Sequence, residues 1–226
     1  MHAALRVYPG RALLNSISYE KERIEKVLPI AAKYGAMLIL LLLDENKLPE
    51  NCAERIAVLE KLIPEIEKYG YTLNDTAVDA LIMAISVAPQ AGNAALDFID
   101  YCHNDLHVNT VCGLSNISFG LPNRMLVNRT FLAMAMARGL NMAIANPMNA
   151  DFMAAIQAVE ALNGQDKNMS NYLAAQSNTA AENKPVAADA DCGILAFNAI
   201  LRCDAASAVK AVEKALTQSD LDARNF

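Results

Sequence analysis

Apolar residues fall into two alternating rhythms along this chain. Short unbroken runs such as Ala36 to Leu43 are followed by longer stretches in which apolar positions return every three or four residues. The first is the pattern of a strand covered on both faces, the second that of a helix with one buried stripe. Met1 to Tyr8 reads as a helix end stopped by Pro9-Gly10, and Arg11 to Ser18 as a short buried strand. Tyr19 to Tyr34 is then expected to be a helix with Ile24, Val27, Leu28 and Ala31 inward, ended by Gly35. After the strand from Ala36 to Leu43, a second helix runs from Cys52 to Tyr69 with Ile56, Leu59, Ile63 and Ile66 as its inner stripe, closed by Gly70. The same alternation continues through a strand at Thr76 to Ile82, a helix at Ala94 to His103 and a strand at Val108 to Leu114. A helix from Arg124 to Arg138, Gly139, a short strand from Met142 to Ala145 and a helix from Asp151 to Leu162 complete the series.

Strand and helix in strict turn predict an α/β fold with a parallel sheet. Each strand exit bears polar residues, namely Asn15, Asp44, Asp79, Ser115 with Asn116, and Asn146. In barrels and doubly wound sheets alike, ligand chemistry sits at that edge. From Gly164 to Ala190 the periodicity stops and Gln, Asn, Ser, Lys and Ala take over, as in a linker. Beyond it, Ile194, Phe197 and Leu201, then Val209, Val212 and Leu216, mark two short helices too few to build a core of their own.

Composition narrows the partners. With 54% hydrophobic and 19% charged residues the chain is globular, and its net charge of -6, without a basic cluster, excludes a nucleic-acid backbone as the expected partner. The longest apolar run, Ala36 to Leu43, is far short of the ~20 residues a membrane helix needs, and no secretory segment is evident, so a cytoplasmic protein is expected. Cysteines at 52, 102, 112, 192 and 203 lack metal-ligand spacing and read as reduced thiols, mostly packing.

Five positions carry candidate chemistry. Asn116, in Cys112-Gly113-Leu114-Ser115-Asn116-Ile117-Ser118, offers a donor and an acceptor without charge and can hold a ring nitrogen; equally, it can cap the helix beginning near Asn123. Asp79, amid apolar neighbours, needs a partner for its charge. Paired N–H donors on a heterocycle such as a pterin or guanine would satisfy it, as would a salt bridge to Arg or Lys. Asn15 can bond a flat ligand or tie loops together. Arg124 and Arg129 open the next helix, where either can meet an anionic tail or simply be solvated. Asp105-Leu106-His107 starts like an Asp-x-His-x-x-Gly cobalamin ligand motif, but Thr110 replaces its glycine, and a polar turn is the better reading. His103 is read as a helix-end residue, and Met134 and Met136 as core.

Taken together, Leu14-Asn15-Ser16-Ile17-Ser18, Asp79-Ala80-Leu81-Ile82, Gly113-Leu114-Ser115-Asn116-Ile117-Ser118 and Asn128-Arg129-Thr130-Phe131-Leu132-Ala133-Met134-Ala135 resemble the pterin-binding domain of cobalamin-dependent methyltransferases. That family comprises the methyltetrahydrofolate module of methionine synthase and stand-alone methyltetrahydrofolate:corrinoid methyltransferases. The resemblance extends from about Ala4 to Leu162. It implies a (β/α)8 barrel of the TIM type with 5-methyltetrahydrofolate bound at the carboxyl ends of the strands. It also implies that Asn15 and Asp79 bond the pterin ring, that Asn116 lies near the methyl-bearing nitrogen, and that Ser115 and Arg124 support them. Cobalamin would be held by another domain or a corrinoid-binding protein.

The departures shape the expectation equally. Family barrels start with three further strand-helix units, so about five of eight are expected here, with residues 1–163 an incomplete barrel, 164–190 a linker and 191–226 the start of a helical cap before a cobalamin domain. That order is the order in methionine synthase, and an interior segment of such an enzyme is expected. An open barrel exposes a sheet edge, so the missing part or a partner chain is expected to supply the other strands. The expected activity is methyl transfer from 5-methyltetrahydrofolate to a corrinoid, in methionine biosynthesis. The alternatives are a non-catalytic folate-binding or assembly subunit and a dihydropteroate synthase-like enzyme. The last is disfavoured because Ala143-Ile144-Ala145-Asn146-Pro147 lacks the basic groups a pyrophosphate site needs.

Overall fold

The unbroken apolar runs become strands because their two faces meet different apolar layers, and the striped stretches become helices that cover one of those faces. The computed structural model describes residues 1–45, 47–179, 209, 210 and 213. After a short helix α1 (His2–Val7) come β1 (Leu13–Tyr19), α2 (Lys21–Lys33), β2 (Met37–Asp44), α3 (Cys52–Glu67) and β3 (Thr76–Asp79). They are followed by α4 (Ala91–Tyr101), β4 (Asn109–Gly113), α5 (Arg124–Ala137), β5 (Met142–Ile144), α6 (Ala150–Leu162) and α7 (Ser170–Thr179). The five strands form one sheet in chain order, and every neighbouring pair is parallel.

Side-chain alternation divides the sheet into two faces. Leu38, Leu40 and Leu42 of β2 are fully buried in the large core beneath the helices, with Ile24, Leu28 and Ala31 of α2 and Val58, Leu59, Leu62 and Ile66 of α3. On the other face Ile39, Ala77 and Val111 form a smaller apolar cluster with Met142. Residues paired in register across parallel strands share a face. Asn15 pairs with Ile39 and Ile39 with Ala77, while Asp79 pairs with Val111 and Val111 with Met142. Asn15 and Asp79 therefore stand on the face opposite the helices.

A register shift makes this possible in β1. Strict alternation would put Ile17 on the same face as Asn15, but the ladder slips between them so that Ile17 pairs with Leu40, on the helix side, and is fully buried. The cis peptide Asn15–Ser16 lies within this irregularity.

Several boundaries and faces differ from expectation. The inner face of α3 is centred on Arg55, Val58, Leu59, Leu62 and Ile66, with Ile56 and Ile63 only partly buried at its margin. An arginine on the buried stripe displaced the reading. The strand expected to reach Ile82 ends at Asp79, where Leu81 turns left-handed at φ 52; Ala80 and Ile82 stay apolar because both are buried in the helix-side core. Helix α4 loosens into a π-type turn over Cys102–Leu106, which His107 stops in the left-handed region. Met134 is 47% exposed rather than core, while Met136 packs against the core as expected.

The chain divides into units at Met1–Leu173 and Ala174–Phe226. Helix α7 falls within the stretch read as a linker, and its start is built by Asp166, whose carboxylate accepts hydrogen bonds from Ser170 Oγ and the Asn171 and Tyr172 amides. Residues 180–190 of that linker and the two helices expected near Phe197 and Val212 lie outside the described residues, apart from positions 209, 210 and 213.

Candidate functional site

The carboxyl end of β3 and the turn after β4 bring Asp79 and Asn116 to one edge of the sheet, whereas Asn15, expected at a strand exit, lies inside β1, which runs on to Tyr19, at the level of Ile39 and Ala77 rather than of Asp79. Asn15 is exposed, and its carboxamide makes no hydrogen bond within the described residues. It stands two strand intervals from β3, or roughly 10 Å.

Asp79 closes β3 and is only partly exposed. Its Oδ1 accepts a hydrogen bond from the Leu81 amide at 2.9 Å, an Asx-type turn that ends the strand. Among the described residues no Lys, Arg or His forms an ion pair with it, so the salt-bridge alternative is not what holds it. Burial pushes its carboxyl above the usual carboxylate range, and the Leu81 N–H opposes this in part. Its second oxygen is free of protein donors among the described residues.

Beyond β4 the chain winds into a 3₁₀ turn, Leu114–Ser118, with Leu114, Ile117 and Ser118 buried and Ser115 and Asn116 exposed. The Asn116 side chain folds back over Gly113. A Cβ placed on Gly113 would lie 3.2 Å from Asn116 Nδ2, so the glycine makes room for the carboxamide. The residue flanking α5 at its start is Asn123, which is left-handed and gives no side-chain cap. Asn116 is thus not the cap of α5, and its amide remains available at the sheet edge.

Ser115 and Arg124 hold the turn. Arg124 Nη2 donates to the Ser115 carbonyl at 2.8 Å and Nε donates to Ser118 Oγ at 3.1 Å, while its guanidinium lies over the Phe119 ring at 5.9 Å. Ser115 contributes its carbonyl rather than its hydroxyl to this arrangement. Arg129 is exposed on α5.

Asp105 and His107 lie in the turn after α4, where His107 Nδ1 is 3.0 Å from the His103 carbonyl. That is the polar turn expected. Cys102 and Cys112 are buried free thiols pushed up to about 12 by burial, which suits packing rather than nucleophilic chemistry. Sequence reading missed Arg55, which is fully buried behind β3 and donates to the Ala80 and Leu81 carbonyls at 3.1 and 3.2 Å. Its only signal was its place four residues before Leu59, one helical turn back along α3.

The sequence pattern of the family described as pterin binding enzyme matches residues 1–146. The chain is 31% identical over 169 residues to the methylcorrinoid:tetrahydrofolate methyltransferase of Eubacterium limosum, covering 73% of this chain and 61% of that protein. It is 29% identical over 169 residues to the methionine synthase of Mycobacterium tuberculosis, covering 66% of this chain and 14% of that protein. The chain thus spans about three fifths of the first relative and a small part of the second. Among solved structures, a dihydropteroate synthase of Yersinia pestis in complex with a sulfonamide drug superposes with a TM-score of 0.51 at 13% identity, covering 73% of this chain and 70% of that one. Likeness at that identity speaks to the fold, a strand-helix barrel of which five units stand among the described residues. With its parallel sheet, its polar strand exits and a family pattern that spans most of its described length, this chain belongs to the pterin binding enzymes.

Proposed function

We propose that this chain is the pterin-binding part of a methyltransferase that moves the methyl group of 5-methyltetrahydrofolate to a corrinoid held by another domain or protein. The observation that carries the reading is a partly buried carboxylate, Asp79, without a basic partner among the described residues, at the same sheet edge as the unengaged carboxamide of Asn116 and on the same sheet face as that of Asn15. A pterin supplies what that set lacks. Its amino-pyrimidinone edge presents paired N–H donors to Asp79, and its other ring edges can exchange hydrogen bonds with Asn15. The name of the relative from Eubacterium limosum, a methylcorrinoid:tetrahydrofolate methyltransferase, agrees with this substrate class.

In this reading the corrinoid is the methyl acceptor and supplies a nucleophilic cobalt. Asp79 anchors the ring and fixes its angle, so the methyl group is presented outward. Asn116 meets the methyl-bearing ring nitrogen. As the methyl group departs, the C–N bonding pair stays on that nitrogen, which takes up a proton from solvent, and the hydrogen bond from Asn116 strengthens as this charge develops, which lowers the barrier more than it tightens binding. Arg124 and Ser115 act by keeping the 3₁₀ turn in shape. The same reading takes 1–163 as an incomplete barrel, 164–190 as a linker and 191–226 as the start of a cap, acting in the cytoplasm. No helix among the described residues is long and apolar enough to cross a membrane.

The test is titration of the purified chain with 5-methyltetrahydrofolate, followed by demethylation with supplied cob(I)alamin or corrinoid protein. Binding with demethylation is the expected result. Binding without demethylation leaves a non-catalytic folate-binding subunit, and absence of binding defeats both readings. Asn116→Ala is expected to slow transfer by about 10²-fold while weakening binding by less than about tenfold; equal losses would remove its special role.

A further inference from the structure

Arg55 is the largest of the fully buried side chains, and it sits on the core-facing stripe of α3, where every other buried residue is aliphatic. A buried guanidinium costs several kcal/mol unless paired, whereas Leu or Met in the same place would cost nothing of the kind. No carboxylate forms an ion pair with Arg55 among the described residues, and its Nη1 has no partner there. Its hydrogen bonds go to two consecutive backbone carbonyls, Ala80 from Nε at 3.1 Å and Leu81 from Nη2 at 3.2 Å.

Those carbonyls belong to the turn that sets Asp79. Leu81 is left-handed at φ 52, a conformation that a side chain bearing a Cβ adopts only when its surroundings impose it. The Ala80 amide is held by the Val111 carbonyl at 3.0 Å, and the two carbonyls are held by the guanidinium. What remains is the Leu81 N–H, which is turned onto Asp79 Oδ1 at 2.9 Å and fixes that carboxylate with its other oxygen free. We propose that Arg55 is a positioning residue for ligand binding: its rigid two-carbonyl grip from behind the sheet forms the left-handed turn at Leu81 that aims Asp79. The effect runs through the backbone rather than through space, since the groups acting on Asp79 are its burial and the Leu81 N–H, not the guanidinium. The inference rests on reading Asp79 as a pterin ligand.

The experiment uses the full 226-residue chain with Arg55→Met and Arg55→Lys, each alone and combined with Asp79→Asn. It reads 5-methyltetrahydrofolate affinity together with ligand-free hydrogen exchange at the Leu81 amide. Arg55→Met is expected to weaken affinity about tenfold in the wild-type background and less than about twofold once Asp79 is already Asn, because the two act as one unit. Exchange at Leu81 is expected to rise about tenfold or more in Arg55→Met, as its turn opens locally. Arg55→Lys keeps the charge but loses the planar fork, and is expected to cost about threefold in affinity with a smaller rise in exchange. A merely structural arginine would instead give multiplicative losses in the double variant, or unchanged Leu81 exchange, and either outcome overturns the proposal. If Arg55→Met does not fold, Arg55→Lys with wild-type affinity and wild-type exchange overturns it equally. Wild-type chain that binds no folate defeats the pterin reading, and the Leu81 exchange then decides by itself whether Arg55 builds the turn.

Discussion

At Asp79 the needs of the fold and of the ligand oppose each other. Burial favours the protonated carboxyl, so between the ordinary carboxylate range and its raised value the folded chain keeps a proton that the unfolded chain releases. This contribution to stability is present at low pH and is lost as pH rises through that window. Asp79→Asn keeps an acceptor for the Leu81 amide and removes the charge. It is expected to raise Tm at pH 7 by about 2–4 °C, with the gain shrinking toward pH 4, while weakening folate binding about tenfold or more. Calorimetry at the two pH values and ligand titration check both halves. The thiols make a second prediction at this scale. At pH 8 an alkylating reagent is expected to modify Cys52, partly exposed, at least about tenfold faster than Cys102 or Cys112, by peptide mass spectrometry, because burial withholds their thiolates. The identity of Asp79 and Asn116 as polar residues at strand exits was legible in the sequence, while Asn15 lies inside β1 rather than at its exit. Whether each already had a protein partner was not legible, since partners come from distant segments.

Among the elements, helix ends were the most legible because glycine marks them chemically. Gly139 follows α5 at φ +96, and a Cβ there would come within 2.3 Å of His103 Cγ. Gly139→Ala is therefore expected to cost about 2–4 kcal/mol in denaturant unfolding, through strain and collision together. Adding His103→Ala is expected to recover the collision but not the backbone strain; full recovery would show that φ is irrelevant here. The inner face of α3 was misjudged because aliphatic spacing assigns Arg55 to solvent, and only the carbonyls of the β3 exit explain its burial. Met134 was misjudged in the opposite sense, for an apolar residue on a helix rich in Ala and Met has no polar face to contrast with. The end of β3 was overrun because Ala80 and Ile82 are as apolar as a strand, although they point into the core from a turn.

For the whole molecule, the described residues leave β1 and β5 paired on one side only, and Leu13 and Ile144 on these outer strands are 41% and 49% exposed. Apolar side chains beside unpaired strand edges favour association. The chain by itself is expected to self-associate with rising concentration, and Leu13→Lys with Ile144→Lys to reduce the light scattering; no change would mean that these edges are not the sticky surface. The sequence by itself determined the strand-helix alternation, the parallel sheet and the row of polar exits, because hydrophobic period and glycine stops are local properties. Only the tertiary structure decided which exits remain unpartnered, that Ile17 shifts to the helix side while Asn15 does not, and that a buried arginine shapes the turn behind Asp79. These depend on register and on groups brought together from separate strands and helices, which no local pattern encodes.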